Sequence, residues 1–215
     1  MTGLVVVNYN DYKNTISFID SVKEYKAVKH IVIVDNCSTD DSFSKLESIC
    51  DRKVSLIKNE SNKGYGSGIN LGSKYLMDNY NIDNIIVSNT DIIINSEDDL
   101  IKMINYLSDD VALVGPNVLE NGGVNRGWKI PSPFVDSLLN IPYIHRFLRK
   151  KLLFYKNSEY ENDFTQVEVL SGCFFIISAD SLKKIDFFTL KEYSNCNRRC
   201  IIAPCLISLE SEVPK

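Results

Sequence analysis

Short runs of Val, Ile and Leu recur along this chain with helical stretches between them, and that alternation restricts the fold more than any other feature. Leu4-Val5-Val6-Val7-Asn8-Tyr9-Asn10 reads as a first buried strand that ends in polar residues. His30-Ile31-Val32-Ile33-Val34-Asp35-Asn36 reads as a second, ending in Asp35. Val54-Ser55-Leu56-Ile57-Lys58 is a third, Asn84-Ile85-Ile86-Val87 a fourth and Val111-Ala112-Leu113-Val114-Gly115 a fifth. Apolar runs of this kind are buried on both faces, as in parallel sheets covered by helices. Cys37 to Ser42 supply N-cap residue types before a helix, and a second helical pattern runs from the glycine-rich stretch to about Asn79. The expected fold is α/β, a mainly parallel, doubly wound sheet flanked by helices.

Polar residues gather at the ends of strands one, two and four. Open α/β sheets bind ligands at the carboxyl ends of their strands. Ser88-Asn89-Thr90-Asp91 is the most informative of these ends, because Asp91 stands between two apolar runs. A carboxylate drawn out of water needs a partner or a metal. Asn89 and Asp91 together suit Mg²⁺ or Mn²⁺, which take oxygen ligands and bridge to a substrate's phosphates. A helix cap or turn carboxylate is the plainer reading of the same tetrapeptide.

Four blocks in order resemble the family 2 glycosyltransferases, and especially their rhamnosyltransferase-like branch. They are Val6 to Asn10, Val32 to Asp40, Asn62-Lys63-Gly64-Tyr65-Gly66-Ser67-Gly68-Ile69-Asn70-Leu71-Gly72, and Ser88 to Asp91. A weaker fifth block is Val169-Leu170-Ser171-Gly172-Cys173-Phe174-Phe175-Ile176-Ile177, and the match runs roughly over residues 3 to 188. The resemblance implies a GT-A fold over 1–188, with a nucleotide-binding half to about 118 and an acceptor-side half over 119–188. It implies transfer of a sugar, with inversion, from a UDP- or dTDP-sugar to a saccharide or lipid-linked acceptor in bacterial surface polysaccharide synthesis. Mg²⁺ or Mn²⁺ would be held at Asp91.

The same resemblance implies donor contacts from Asn8, Tyr9, Asn10, Asp35, Gly64, Gly66, Asn70 and Asn89. Asp35 would bond the nucleobase, since a carboxylate accepts from the ring N–H of uracil or thymine. Asp35 can equally cap the next helix, although Ser38, Thr39 and Asp40 already offer caps. Gly64, Gly66 and Gly68 can shape a strand-to-helix turn; the family places this loop beside the nucleotide diphosphate. They fit neither the phosphate-binding loop, which needs Gly-Lys before Ser or Thr, nor the dinucleotide fingerprint. A sugar nucleotidyltransferase is the weaker enzyme reading. Its loop after the first strand wants Gly, Arg and Lys, where Asn8-Tyr9-Asn10-Asp11 stands.

Composition narrows the partners. The chain has 215 residues and a net charge of −4, so no broad cationic surface marks it for nucleic acid. Met1-Thr2-Gly3 leads straight into a strand, with no signal-like segment, so a cytoplasmic protein with reduced thiols is expected. The six cysteines form no Cys-x-x-Cys pair and there are two histidines, which speaks against zinc. Trp128 stands ready to stack on a sugar or to pack at the sheet's rim. Residues 144–156 alternate basic and large apolar residues. Such a helix fits an anionic membrane surface, at the inner face if the acceptor is lipid-linked, or an ordinary solvated face.

The resemblance breaks after Phe188. The family continues into an acidic Glu-Asp motif that supplies the catalytic base, and residues 189–215 hold no such pair. Asp186 and Glu192 are the nearest carboxylates. Three of the six cysteines fall in this tail. A shifted reading frame is one expectation, since Arg198-Arg199-Cys200 written CGA-AGA-TGT holds GAA-GAT-GT one base along. A truncated remnant that binds nucleotide-sugar without transfer is the alternative function this break raises.

Overall fold

A computed structural model of the protein describes residues 1–120, 123–125, 127–141, 148, 151–155, 164–188 and 199–209, the last stretch by its backbone. The strands are β1 (Thr2–Asn8), β2 (Val28–Asp35), β3 (Val54–Lys58), β4 (Asn84–Ser88), β5 (Ile92–Ile94), β6 (Val111–Glu120), β7 (Gly123–Asn125), β8 (Thr165–Val167), β9 (Phe174–Ser178) and β10 (Arg199–Leu209). The helices are α1 (Tyr12–Val22), α2 (Ser42–Glu47), α3 (Tyr65–Asn79), α4 (Glu97–Asn105), α5 (Pro133–Leu139) and α6 (Ala179–Lys184). The five expected strands all form. The fifth of them is β6, because Ile92–Ile94 makes a strand of its own.

These strands build one sheet in the order β3-β2-β1-β4-β9-β6-β10-β5, with β7 on β6 and β8 on β10. β3, β2, β1 and β4 run parallel side by side, and β6 and β10 share their direction. β9 runs against them between β4 and β6. The sheet is therefore mixed and mainly parallel. Its last described strand comes from the tail: β10 lies between β6 and β5.

Alternation along each strand sends neighbours to opposite faces, and both faces are covered. Leu4, Val6, Ile31 and Ile33 pack with Phe18, Ile19 and Val22 of α1 and Leu100 and Met103 of α4. Val5, Val32 and Val34 pack on the other side with Ile69 and Leu76 of α3 and Leu182 of α6. Helix α1 buries Thr15, Phe18, Ile19 and Val22, one stripe at helical spacing. Helix α3 lies unusually close to the sheet. A Cβ at Gly72 would stand 2.6 Å from Val5 Cγ1 and 2.9 Å from Val34 Cγ2, and one at Gly68 would stand 2.9 Å from Val7 Cγ1. Those two glycines let the helix seat its amino end at the carboxyl ends of β1 and β2. Among the described residues no helix is long and apolar enough to cross a membrane.

Candidate functional site

Because β1 and β4 pair in parallel, with Val6 opposite Ser88, the loops leaving them lie side by side. Between them is a cleft of about 310 Å³, lined by Tyr9, Asp11, Asn14, Asn89, Thr90 and Asp91 among others. Asp91 is exposed there. Its apolar neighbours Ile92 and Ile94 turn inward while the carboxylate stays in water, so burial does not force a partner on it; its place in the cleft is what remains. The turn that carries it is fixed from below, where Asn89 N–H donates to the Cys173 carbonyl at 2.8 Å, tying β4 to the start of β9.

Among the described residues no group of three or more His, Cys, Asp or Glu side chains gathers as a ready metal cage. One or two carboxylates completed by substrate phosphates is the usual arrangement for Mg²⁺. Asp91, with Asn89 and Thr90 beside it and Asp11 across the cleft, fits that arrangement. Asp11 is the residue the sequence reading passed over. It stands at the N-cap of α1 without capping it, and its carboxylate accepts instead from Asn14 Nδ2 at 3.1 Å. A strand end followed by Asp and then Asn at i+3 is the signal that marks it.

The ends of β1 and β2 are locked to each other. Asn8 and Asp35 are buried, at 1% and 0% exposure. Asn8 Nδ2 donates to Asp35 Oδ1 at 3.0 Å and to Ser38 Oγ at 3.1 Å, while its Oδ1 accepts from Thr15 Oγ1 at 2.9 Å. The other Asp35 oxygen accepts from Ser38 N–H at 3.1 Å. Asn10, in the left-handed region at φ 54°, accepts from Thr39 N–H at 2.8 Å. Both Asp35 oxygens are thus engaged, while Tyr9, 48% exposed, reaches solvent together with Asn10 and Thr39. The desolvation cost of a buried carboxylate is offset here by two donors aimed at it.

The glycine-rich loop hangs on a chain of amides. Asn59 Nδ2 donates to Asn36 Oδ1, Asn36 Nδ2 donates to Asn62 Oδ1, each at 2.9 Å, and Gly64 N–H donates to Asn62 Oδ1 at 3.0 Å. Gly64 is the N-cap of α3 at φ 91°, which an L side chain would resist. Gly66 faces the backbone of Phe188. Desolvation, then the charges of Cys173 and Asp91, hold the Tyr65 phenol above its ordinary value, while the residue keeps 39% of its surface exposed. The Asn70 amide meets Phe188: its Nδ2 donates to the Phe188 carbonyl and its Oδ1 accepts from the Phe188 N–H, both at 2.9 Å.

Asp186 is not among the residues that line this cleft. It occupies the residue after the C-cap of α6 at φ 54°, with its N–H on the Lys183 carbonyl and the Phe187 N–H on the Leu182 carbonyl. That pair of backbone bonds is the Schellman closure of a helix. Glu192 lies outside the described residues, as do residues 121 and 122 and much of 144–156, where residues 148 and 151–153 are helical. Trp128 is half-buried and exchanges backbone hydrogen bonds with Val169.

Known proteins share this architecture. The low-salt glycan biosynthesis hexosyltransferase Agl10 of Haloferax volcanii is 31% identical over 126 residues, 57% of this chain and 38% of that protein. The mannosyltransferase PcManGT from Pyrobaculum calidifontis, solved with GDP-Man and Mn²⁺, superposes with a TM-score of 0.63 at 16% identity, over 100% of this chain and 57% of its own. GalNAc-T7, solved with UDP, GalNAc and Mn²⁺, gives 0.72 at 12% identity, over 97% and 43%. TarS of S. aureus with UDP-GlcNAc gives 0.59 at 17%, over 100% and 61%. The chain thus spans between 38% and 61% of the length of these relatives. The structural likenesses show a GT-A fold. Residues 4–186 match the sequence pattern of glycosyl transferase family 2, so the chain belongs to that family.

Proposed function

We propose that this protein binds a UDP- or dTDP-sugar across the carboxyl ends of β1, β2 and β4 and transfers the sugar, with inversion, to a saccharide or lipid-linked acceptor in building a surface polysaccharide. The observation that carries the reading is Asp91, an exposed carboxylate on a fixed turn in a cleft shared with Tyr9 and Asp11. Asp91, with Asn89 beside it, would hold Mg²⁺ or Mn²⁺. When bound, the ion neutralises charge on the departing nucleoside diphosphate. Tyr9 offers its ring to the base, and the locked Asn8–Asp35–Ser38 corner sets where that ring stands. In the transfer itself the acceptor oxygen forms its bond to the anomeric carbon as the bond to diphosphate oxygen breaks, and a carboxylate takes the hydroxyl proton. Glu192 is the first residue to test as that base.

A binding-only remnant is the second reading, favoured by the missing Glu-Asp pair after Phe188. The 189–215 stretch is then the altered part, and 1–188 the inherited domain. We place the protein in the cytoplasm, at the inner membrane face where 144–156 touches anionic lipid. Incubation with Mn²⁺ and a panel of UDP- and dTDP-sugars separates the readings. Donor hydrolysis or transfer supports the enzyme, nucleotide binding without turnover supports the remnant, and no binding to any donor defeats both.

A further inference from the structure

We propose that Asn70 is a positioning residue: its amide clamps the backbone of Phe188, so that the chain leaving α6 is held against the helix that carries the glycine-rich loop. The role rests on the proposed transfer reaction. Four observations meet at this point. The Asn70 side chain satisfies both the N–H and the C=O of Phe188 across 118 residues of sequence, at 2.9 Å each. The Phe188 ring packs edge-on against Phe175 of β9, centroids 5.7 Å apart. The ammonium of Lys74, one turn along α3 from Asn70, sits 4.6 Å from the Phe187 ring centroid. A Cβ on Gly66 would stand 3.7 Å from Phe188 Cβ, so the loop and this turn lie in contact distance.

The turn needs such holding. Asp186 and Phe187 both have left-handed backbones, at φ 54° and 65°. A bulky residue in that region is strained and persists where its surroundings over-determine it. The Schellman bonds fix Asp186 and Phe187 to α6, and the Asn70 amide fixes the next residue to α3. With both its oxygen and its nitrogen turned to Phe188, Asn70 serves the reaction through where residue 188 stands rather than by touching the donor. The two bonds resemble one rung of a strand pair supplied by a side chain, a geometry that aspartate, leucine or alanine cannot reproduce.

The test compares the wild type with Asn70→Ala and Asn70→Asp by hydrogen exchange, by calorimetry of UDP with Mn²⁺, and by donor turnover. In Asn70→Ala the Phe188 amide should exchange about tenfold faster or more as its acceptor is lost. UDP affinity should stay within about threefold while kcat falls about tenfold with donor KM little changed, the pattern of a misplaced transition-state group. Asn70→Asp keeps the acceptor for the Phe188 N–H but loses the donor to its carbonyl, so it should keep amide protection and still lose turnover. If the alanine variant fails to fold, the aspartate variant decides the point by the same kcat-against-affinity split. A parallel tenfold loss of UDP affinity with the Phe188 amide still protected would make Asn70 a donor contact and overturn the proposal. A freed amide with unchanged kcat would overturn it as well. A wild type that binds no nucleotide defeats the functional reading instead, and the exchange rate still reports whether the clamp exists.

Discussion

The two walls of the cleft are built differently. On one side the ends of β1 and β2 are knitted together by Asn8, Asp35, Ser38 and Thr15, with Asn8 and Asp35 all but sealed from solvent. On the other, the turn after β4 is fixed through its backbone, while the carboxylate of Asp91 faces solvent and makes no hydrogen bond among the described residues. Both walls carry an Asp at a strand end, and in sequence the two settings look alike. Burial separates them. Asp35 has each oxygen engaged by a donor of the protein, and Asp91 stands in water at the cleft.

The sharpest way to break this contrast is Asp35→Ala. It takes one of two acceptors from the buried Asn8 amide and the acceptor from the half-buried Ser38 N–H, at a cost of about 1–3 kcal/mol for each. Urea unfolding should show the loss, and UDP affinity of the remaining folded protein should fall only as far as Tyr9 is displaced. A variant of unchanged stability that loses UDP binding with and without Mn²⁺ would instead make Asp35 the reader of the base.

Gly72→Ala probes what presses the loop helix onto that wall. The added methyl meets Val5 at 2.6 Å and Val34 at 2.9 Å, both side chains rooted in buried strands. Overpacking of this kind costs about 1–3 kcal/mol, visible as a lowered urea midpoint. An unchanged midpoint would mean α3 can slide, and the close seat of the glycine loop would lose its support.

The smallest effect belongs at the other end of β2. His30 bonds Ser55 Oγ at 2.9 Å and stacks on Tyr80 at 3.9 Å between centroids. Burial lowers its pKa below the usual 6.5, with the Asp51 charge partly opposing. The neutral ring is therefore the one the fold favours. Stability from it is fully present above pH 6.5 and is lost as pH falls towards the folded value, because the unfolded chain takes the proton first. His30→Gln should flatten stability against pH in that window and leave UDP affinity untouched. A slope that survives the substitution would assign the pH dependence to another group.

The first half of the chain was legible because its strands are neighbours in space as well as in sequence. Apolar runs ending in Asn8, Asp35 and Ser88 reported strands, burial and a shared edge at once. The second half hides its pairing. β9 runs antiparallel between β4 and β6, which no local pattern encodes. β10 passes through Ala203-Pro204-Cys205, and its register to β6 shifts between Ile202 and Leu206. Proline cannot donate to a ladder, so that interruption masks a strand in the sequence. At the site, the residue types at Asp35, Asn70 and Asp91 were readable, but what each touches was not. Asp35 is sealed by Ser38 and Asn8, and Asn70 is occupied by Phe188; both contacts depend on tertiary closure.

Calorimetry of UDP with and without Mn²⁺, on the wild type and on Asp91→Asn, tests the central claim most directly. The asparagine keeps the shape and removes the charge, and an exposed site should leave the thermal midpoint unchanged. The account predicts that Mn²⁺ strengthens UDP binding to the wild type and that this gain disappears in the variant. An equal Mn²⁺-dependent gain in both proteins would contradict it.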